Sequence, residues 1–344
     1  MLRMLVALIL SAVIVLVSGP KVIPALRKLK FGQTIYDLGP QSHKAKQGTP
    51  TMGGVMIAAG ALIAAVVCTV GIPGWSFMLP LVLMSAGSMA VGFADDWVKV
   101  VKKRSLGLTP KQKIAGQLVV CVAFTLYCYL HPSVGSSIIV PFFNVEWDLG
   151  IFYIPLLSLT ILFMINSANL QDGLDGILST VTSVGNVAWA GIAVMFMTAA
   201  AASNAVLAAE YQSVAIYAMA LCGACIGFLR FNKYPATVFM GDTGSEYIGG
   251  AVVGMAMLLR EPFLLLLITF TMVASSVTVI IQRYYYKATR KIYGEPRRLF
   301  KMTPIHHHFE LCGYKETQIV KGYGVCTAIL SLIAILSAIG VKIV

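Results

Sequence analysis

Apolar residues in this chain run on, rather than alternating or marking one helical face. Ten stretches have about the length a bilayer core needs, roughly 1–25, 51–71, 75–94, 113–131, 151–167, 177–199, 210–229, 244–260, 262–284 and 320–343. The segments between them are alternately rich and poor in Lys and Arg. Only helices satisfy every backbone group of such segments within lipid, closed barrels aside. The pattern therefore predicts an all-α, polytopic integral membrane protein with about ten transmembrane helices. No internal repeat or low-complexity segment breaks it, so residues 1–344 read as a single membrane domain.

The first stretch has the length of a signal peptide, but its flanks are reversed. Only Arg3 precedes the apolar run, while Lys21, Arg27, Lys28 and Lys30 follow it. That bias predicts an outer N-terminus and a cytoplasmic 26–50 loop. Alternating sides then gather 23 of the 26 Lys and Arg on one face. They fall in the segments around 21–46, 99–113, 230–233 and 283–321, leaving only Arg3, Arg260 and Lys342 elsewhere. Both termini are expected outside.

Composition agrees with this reading. The 344 residues are 58% hydrophobic and 12% charged, with a mean hydropathy of +0.82. The net charge of +12 suggests nucleic acid only in a soluble protein. Here the positive-inside bias explains it, and no nucleic-acid partner is expected. The seven cysteines show no framework spacing, and Cys222 and Cys225 fit one face of a membrane helix.

The outer connections look structural. Gly71-Ile72-Pro73-Gly74 is a tight turn, and residues 132–150 fit a small hairpin. The inner segments hold the chemistry. Gly92-Phe93-Ala94-Asp95-Asp96-Trp97-Val98-Lys99 places two carboxylates at the C-terminal end of a helix, where the macrodipole disfavours them. Asp95 and Lys99 share a face if the helix continues. The motif reads either as an acidic membrane-edge cap or as a divalent-cation or catalytic site.

Thr49-Pro50-Thr51-Met52-Gly53-Gly54 opens the second stretch. Thr49 can cap and Pro50 suits the first helical position, so this is an ordinary capped helix or an anion site. Lys44 and Lys46 upstream favour a phosphate. In Asn166-Ser167-Ala168-Asn169-Leu170-Gln171-Asp172-Gly173-Leu174-Asp175-Gly176, polar groups recur every third residue. On a helix they make a slowly winding stripe; the two Asp-Gly steps also fit turns. Asp242, in Met240-Gly241-Asp242-Thr243-Gly244-Ser245, is placed to cap the eighth stretch. Tyr284-Tyr285-Tyr286-Lys287 suggests that the ninth stretch continues as a helix beyond the bilayer. Within Pro304-Ile305-His306-His307-His308-Phe309-Glu310, the three imidazoles cannot face one point, and no zinc ligand set accompanies them. Contact of one or two with phosphate or base is the better reading.

On the expected topology Asp95, Asp96, Asp172, Asp175 and Asp242 converge on one face with many cations. Carboxylates bind magnesium through oxygen and commonly share it with substrate phosphates. This points to phosphoryl transfer at the cytoplasmic membrane surface, with an acceptor embedded in the lipid. A transporter would place its charges at the midplane instead.

These segments carry a family resemblance, together with Gly39-Pro40, His43 and Lys46-Gln47-Gly48 upstream and Phe231–Gly250 downstream. The chain resembles the phospho-N-acetylmuramoyl-pentapeptide transferases, within the polyprenyl-phosphate N-acetylhexosamine-1-phosphate transferase superfamily. The aspartate motifs belong to the superfamily, including transferases acting on UDP-N-acetylglucosamine. The histidine segment is more specific to the muramoyl-pentapeptide branch. Departures are Gln171 in place of threonine, Glu246-Tyr247-Ile248 in place of a more apolar trio, and a less aromatic Lys321-Gly322-Tyr323-Gly324.

The resemblance implies transfer of phospho-N-acetylmuramoyl-pentapeptide from UDP to undecaprenyl phosphate, giving lipid I and UMP for peptidoglycan and cell-wall synthesis. It implies magnesium, a multi-pass place in the bacterial inner membrane and a homodimer. It makes Asp242 the leading metal ligand, with Asp95 and Asp96 beside the metal and acceptor. Asp95 deprotonates or positions the acceptor phosphate, and His306 joins the catalytic set. Asn169, Asp172 and Phe239 are candidates for uridine recognition. Lys46, Thr51, Lys99 and Lys111 are expected on phosphates or the nucleoside sugar. Gly173, Leu174, Asp175, His307 and His308 complete the expected substrate-binding set.

Overall fold

The computed structural model describes residues 1–28, 46, 48–102, 106–143 and 145–339. Of the sequence motifs, Gly39, Pro40, His43, Lys44 and Gln47 lie outside the described residues, as do Lys30, Lys103, Arg104 and Lys342. The described helices in chain order are α1 (Leu2–Lys28), α2 (Gly54–Thr69), α3 (Trp75–Val101), α4 (Pro110–Leu130) and α5 (Tyr153–Gln171). They continue with α6 (Ile177–Ala200), α7 (Ala205–Asn232), α8 (Gly241–Leu258), α9 (Pro262–Ile268), α10 (Phe270–Tyr293), α11 (Ile305–Leu311) and α12 (Glu316–Ser337). Between α4 and α5, β1 (Ser137–Val140) pairs antiparallel with β2 (Val145–Asp148), in register Ile138 to Trp147 and Ile139 to Glu146, as the expected hairpin.

Among the described residues each of the ten apolar stretches is mainly helical, but they are not alike as spans. Among the described residues seven helices are long and apolar enough to cross a membrane, or eight if α9 and α10 form one broken span. The ninth stretch is not one straight helix: α9 and α10 meet at 84° across Thr269. The chain does continue as helix through Tyr284-Tyr285-Tyr286 to Tyr293. α2 has only 16 residues, and α8 begins with polar groups.

α8 nevertheless forms the centre of the bundle. Every residue from Thr243 to Leu258 is buried. Its four inner glycines let neighbours approach closely. At Gly54 of α2 a Cβ would fall 2.1 Å from the Gly244 Cα, so any side chain there forces the two helices apart.

Two ends of the bundle are distinguishable by their contacts. At one, Arg3 Nη1 donates to the carbonyl of Cys68, Tyr127 Oη donates to that of Ser76, and Arg260 pairs with Glu146 of β2. The other end joins the C-terminal ends of α3, α5 and α7 to the N-terminal ends of α4, α6, α8 and α12 through the polar contacts described next. Every candidate motif with described residues lies there, except the histidine helix α11, which packs beside it.

Candidate active site

Asp95 and Asp96 lie in the last two turns of α3 and are both buried. Asp96 serves α8: its Oδ2 accepts from the Thr243 amide at 2.9 Å and the Thr243 hydroxyl at 2.8 Å. That occupies one of the amides a helix start leaves unpaired. Asp95 Oδ1 accepts from the Leu108 amide at 2.8 Å, tying down the loop into α4. Asp242 is not the cap of α8. Met240 is the N-cap, Asp242 is the second helical residue, and its carboxylate faces outward from the axis toward other helices. Its Oδ1 accepts from Asn169 Nδ2 of α5 at 2.8 Å, and Asn169 also donates to Ser245 Oγ at 2.9 Å.

One carboxylate oxygen from each of Asp95, Asp96 and Asp242 lies within 4.8 Å of the others. Such crowding of like charges is costly without a compensating cation. Lys99 supplies part of it, with Nζ 2.7 Å from Asp95, 3.0 Å from Asp242 and 3.5 Å from Asp96. The i,i+4 pairing of Asp95 with Lys99 is the one read from the sequence. Three oxygen donors in this arrangement suit a hard divalent cation.

The second compensating cation is Lys113, which the sequence reading did not single out. Lys111 is exposed, while Lys113 reaches in. Lys113 Nζ is 2.9 Å from Asp242 Oδ2, 2.9 Å from Glu246 Oε1 and 3.4 Å from Asn169 Oδ1. Two residues turn a helix by about 200°, so only one of the two lysines can face the site. The helix itself starts at a capping box on Thr109. Its hydroxyl accepts from the Gln112 amide, Gln112 Oε1 accepts from the Thr109 amide, and Pro110 fills the first position. The packing of α4 against α3 and α5 turns Lys113, not Lys111, inward. Lys113 then shares a face with the fully buried Gln117, whose Oε1 accepts from Asn166 Nδ2 at 2.9 Å.

The polar stripe of the third inner segment is interrupted. α5 ends at Gln171, so Asn166 and Asn169 are helical but Asp172 to Gly176 form a turn. Gly176, at φ +77°, caps α6, and its amide donates to Asn232 Oδ1 of α7. Asp175 consequently points elsewhere. Its carboxylate accepts from Lys46 Nζ at 2.7 Å and the Ala236 amide at 2.9 Å. Lys46 also pairs with Glu316 of α12 at 2.7 Å, and Glu316 accepts from the Asp175 amide. Burial works against the charge on Lys46, but Asp175 and Glu316 outweigh it and raise its pKa. Asp172 lies electrostatically between the two clusters. Burial, then the carboxylates of Asp242, Asp96 and Asp175, push its pKa up to about 8.

The reading of residues 49–54 as a helix start with free amides does not hold. α2 starts at Gly54, with Gly53 as N-cap and no cap from Thr49. The Gly53 and Gly54 amides donate to the carbonyls of Phe239 and Met240, and the Phe239 amide to that of Pro50. The segment is a strut between α2 and α8, with half-buried Thr51 near the Asp96 carboxylate and half-buried Phe239 at the strand-like contact with Pro50. At Gly241, φ +70°, a Cβ would lie 2.5 Å from Asp96 Oδ2 and 2.7 Å from Thr51 Oγ1.

The histidines diverge, as expected. His306 and His307 are buried and cross at 4.3 Å between ring centroids. His306 Nε2 would lie 2.3 Å from a Cβ at Gly173, so the two imidazoles back the Asp172 turn beside buried Leu174. His307 Nδ1 is 2.7 Å from Glu310 Oε2. His308 turns away and accepts from the Lys301 amide at 3.1 Å. Sequence reading missed Lys113, Glu316 and the roles of Thr243 and Ser245. No local pattern marks Lys113 over Lys111, and none marks Glu316.

Comparison with known proteins follows this geometry. The model of glycosyl transferase family 4 matches residues 78–260, which include all three clustered aspartates. Phospho-N-acetylmuramoyl-pentapeptide-transferase signature 1 matches residues 46–57, the strut and the start of α2. The chain is 38% identical to the phospho-N-acetylmuramoyl-pentapeptide-transferase of Desulfitobacterium hafniense over 97% of each chain. It is 41% identical to that of Clostridioides difficile over 96% of each. The Heliobacterium modesticaldum protein of the same name is 40% identical over 99% of each. Likeness of this extent along the whole chain, with the signature lying on the strut against the aspartates, places the chain in the phospho-N-acetylmuramoyl-pentapeptide-transferase family.

Proposed function

We propose that this chain transfers phospho-N-acetylmuramoyl-pentapeptide from its UDP-linked form to undecaprenyl phosphate. The products are lipid I and UMP. The observation that carries the reading is the Asp95, Asp96 and Asp242 cluster with two lysines shared between its carboxylates. An oxygen of the acceptor phosphate attacks the phosphorus attached to the sugar. The bond from that phosphorus to the bridging oxygen breaks, and UMP leaves with that oxygen.

Attack of one phosphate on another brings like charges together, so fixed cations at the site lower the barrier most. Lys99 and Lys113 supply them. Asp95, held by Lys99 and the Leu108 amide, orients the acceptor phosphate and takes its proton if it carries one. Asp242 is the leading metal ligand, with Asp95 and Asp96 completing the oxygen set. Magnesium, when bound there, supplies charge stabilisation to the transferring phosphate. Asn169, Asp172 and Phe239 contribute to uridine recognition, with Thr51 alongside. Lys46 meets the nucleotide from the second cluster, and His306 and His307 support the Asp172 turn against it.

Measuring UMP release with UDP-N-acetylmuramoyl-pentapeptide and with UDP-N-acetylglucosamine tests the substrate. Release with the first alone is expected; release with only the second overturns the reading.

The chain is read as a single domain crossing the bacterial inner membrane ten times. Both termini lie outside, the site faces the cytoplasm, and the protein forms a homodimer. Support for the topology comes from the Lys and Arg asymmetry and from the gathering of the described motifs, the histidine helix aside, at one end of the bundle. Single cysteines placed at the exposed positions Trp147 and Arg298, in a cysteine-free background, should react from opposite sides of sealed vesicles. Labelling of both from the same side would overturn this topology.

A further inference from the structure

We infer that Glu246 is a positioning residue that draws Lys113 off Asp242 when a divalent cation occupies the aspartate cluster. This rests on the metal reading above.

Glu246 lies one turn after Asp242 on α8 and is fully buried. A carboxylate in such a place is expensive unless paired. Its pairing is with Lys113, 2.9 Å away, and that ammonium lies at the same distance from Asp242. Lys113 is thus shared between a candidate metal ligand and a carboxylate outside the cluster.

The sharing matters because Asp242 Oδ2 is already crowded. Lys99 approaches it at 3.0 Å and Lys113 at 2.9 Å. A cation ligated by that oxygen must displace ammonium from it. The two lysines differ in where they can go. The other partners of Lys99 are Asp95 and Asp96, which belong to the cluster itself. Lys113 has Glu246, which does not. A small swing about the end of its side chain keeps its charge paired while freeing the ligand. With all four carboxylates ionised, two ammonium groups would leave two negative charges in this network, the charge of one divalent cation. With an apolar residue at 246, Lys113 would have no partner to retreat to and would compete with the metal.

The test uses full-length protein in detergent and Mn2+ as the probe, its binding followed by loss of the free-ion paramagnetic resonance signal. Glu246→Gln should raise the apparent Kd for Mn2+ at least tenfold. Glu246→Leu, which needs no hydrogen bond in its buried place, is the second variant should the amide not fold, and should behave alike. Glu246→Asp, keeping the charge, should restore most of the affinity. On a Lys113→Met background Glu246→Gln should add no further weakening, because no ammonium remains to be drawn away. In transfer assays the magnesium concentration for half-maximal rate should rise by a larger factor than kcat falls.

Unchanged Mn2+ binding in folded Glu246→Gln or Glu246→Leu protein overturns the inference. So does equal weakening with and without Lys113, which would make Glu246 a ligand or a general charge effect. No saturable Mn2+ binding in the unsubstituted protein would remove the metal reading itself, and this role of Glu246 with it.

Discussion

Asp242→Asn is expected to lower UMP release by a thousandfold or more while leaving folded protein. That factor corresponds to about 4 kcal/mol of transition-state stabilisation. The size follows from how many partners converge on this side chain. Asp242 accepts from Asn169 through Oδ1 and meets Lys99 and Lys113 through Oδ2. An amide can keep the Asn169 contact through its oxygen, but it then turns an NH2 group toward two ammonium groups. The site loses a metal ligand and its charge balance together, whereas the shape is kept. UMP release across a magnesium titration, with melting temperature measured in parallel, checks the outcome. A near-normal rate at limiting magnesium would reduce Asp242 to a structural contact of α8.

The second large effect separates two lysines of one helix start. Lys113→Met should cost transfer at least a hundredfold and should also destabilise the fold, whereas Lys111→Met should leave both close to the unsubstituted protein. Losing Lys113 strands Glu246, a buried charge whose only ion pair among the described residues is with that lysine. Breaking a buried pair by removing one partner typically costs about 3–5 kcal/mol. Removing both charges avoids that cost, so Lys113→Met with Glu246→Leu should regain most of the melting temperature without regaining the rate. Thermal unfolding monitored by tryptophan fluorescence, beside UMP release, distinguishes the two losses. Equal behaviour of the Lys111 and Lys113 variants would contradict the geometry.

Long apolar runs marked the helical segments because lipid leaves a chain no other way to satisfy its backbone. The same runs could not say how each helix ends or bends. The amides of Gly53 and Gly54 look free in sequence, yet carbonyls of residues 239 and 240 take them. The break between α9 and α10 falls inside a stretch that is apolar throughout. Asp172 and Asp175 keep the three-residue spacing of a stripe but fall in a turn, which takes the Asp175 carboxylate to Lys46 instead of the aspartate cluster.

By itself the sequence determined the class of protein, the helical segments, the family and the acidic and basic residues from which the site is built. These depend on local composition and on spacing along one element, which the chain carries wherever it is folded. Only the tertiary structure decided which of those residues meet. Asp95 and Asp242 are joined through Lys99, Asp242 and Glu246 through Lys113, and Asp175 and Glu316 through Lys46, with some 130 or more residues between most of the partners. Such pairings depend on the rotation of each helix about its axis. That rotation is set by the packing of α3, α4 and α5 around α8, and a shift of two residues exchanges an exposed lysine for one at the centre of the site.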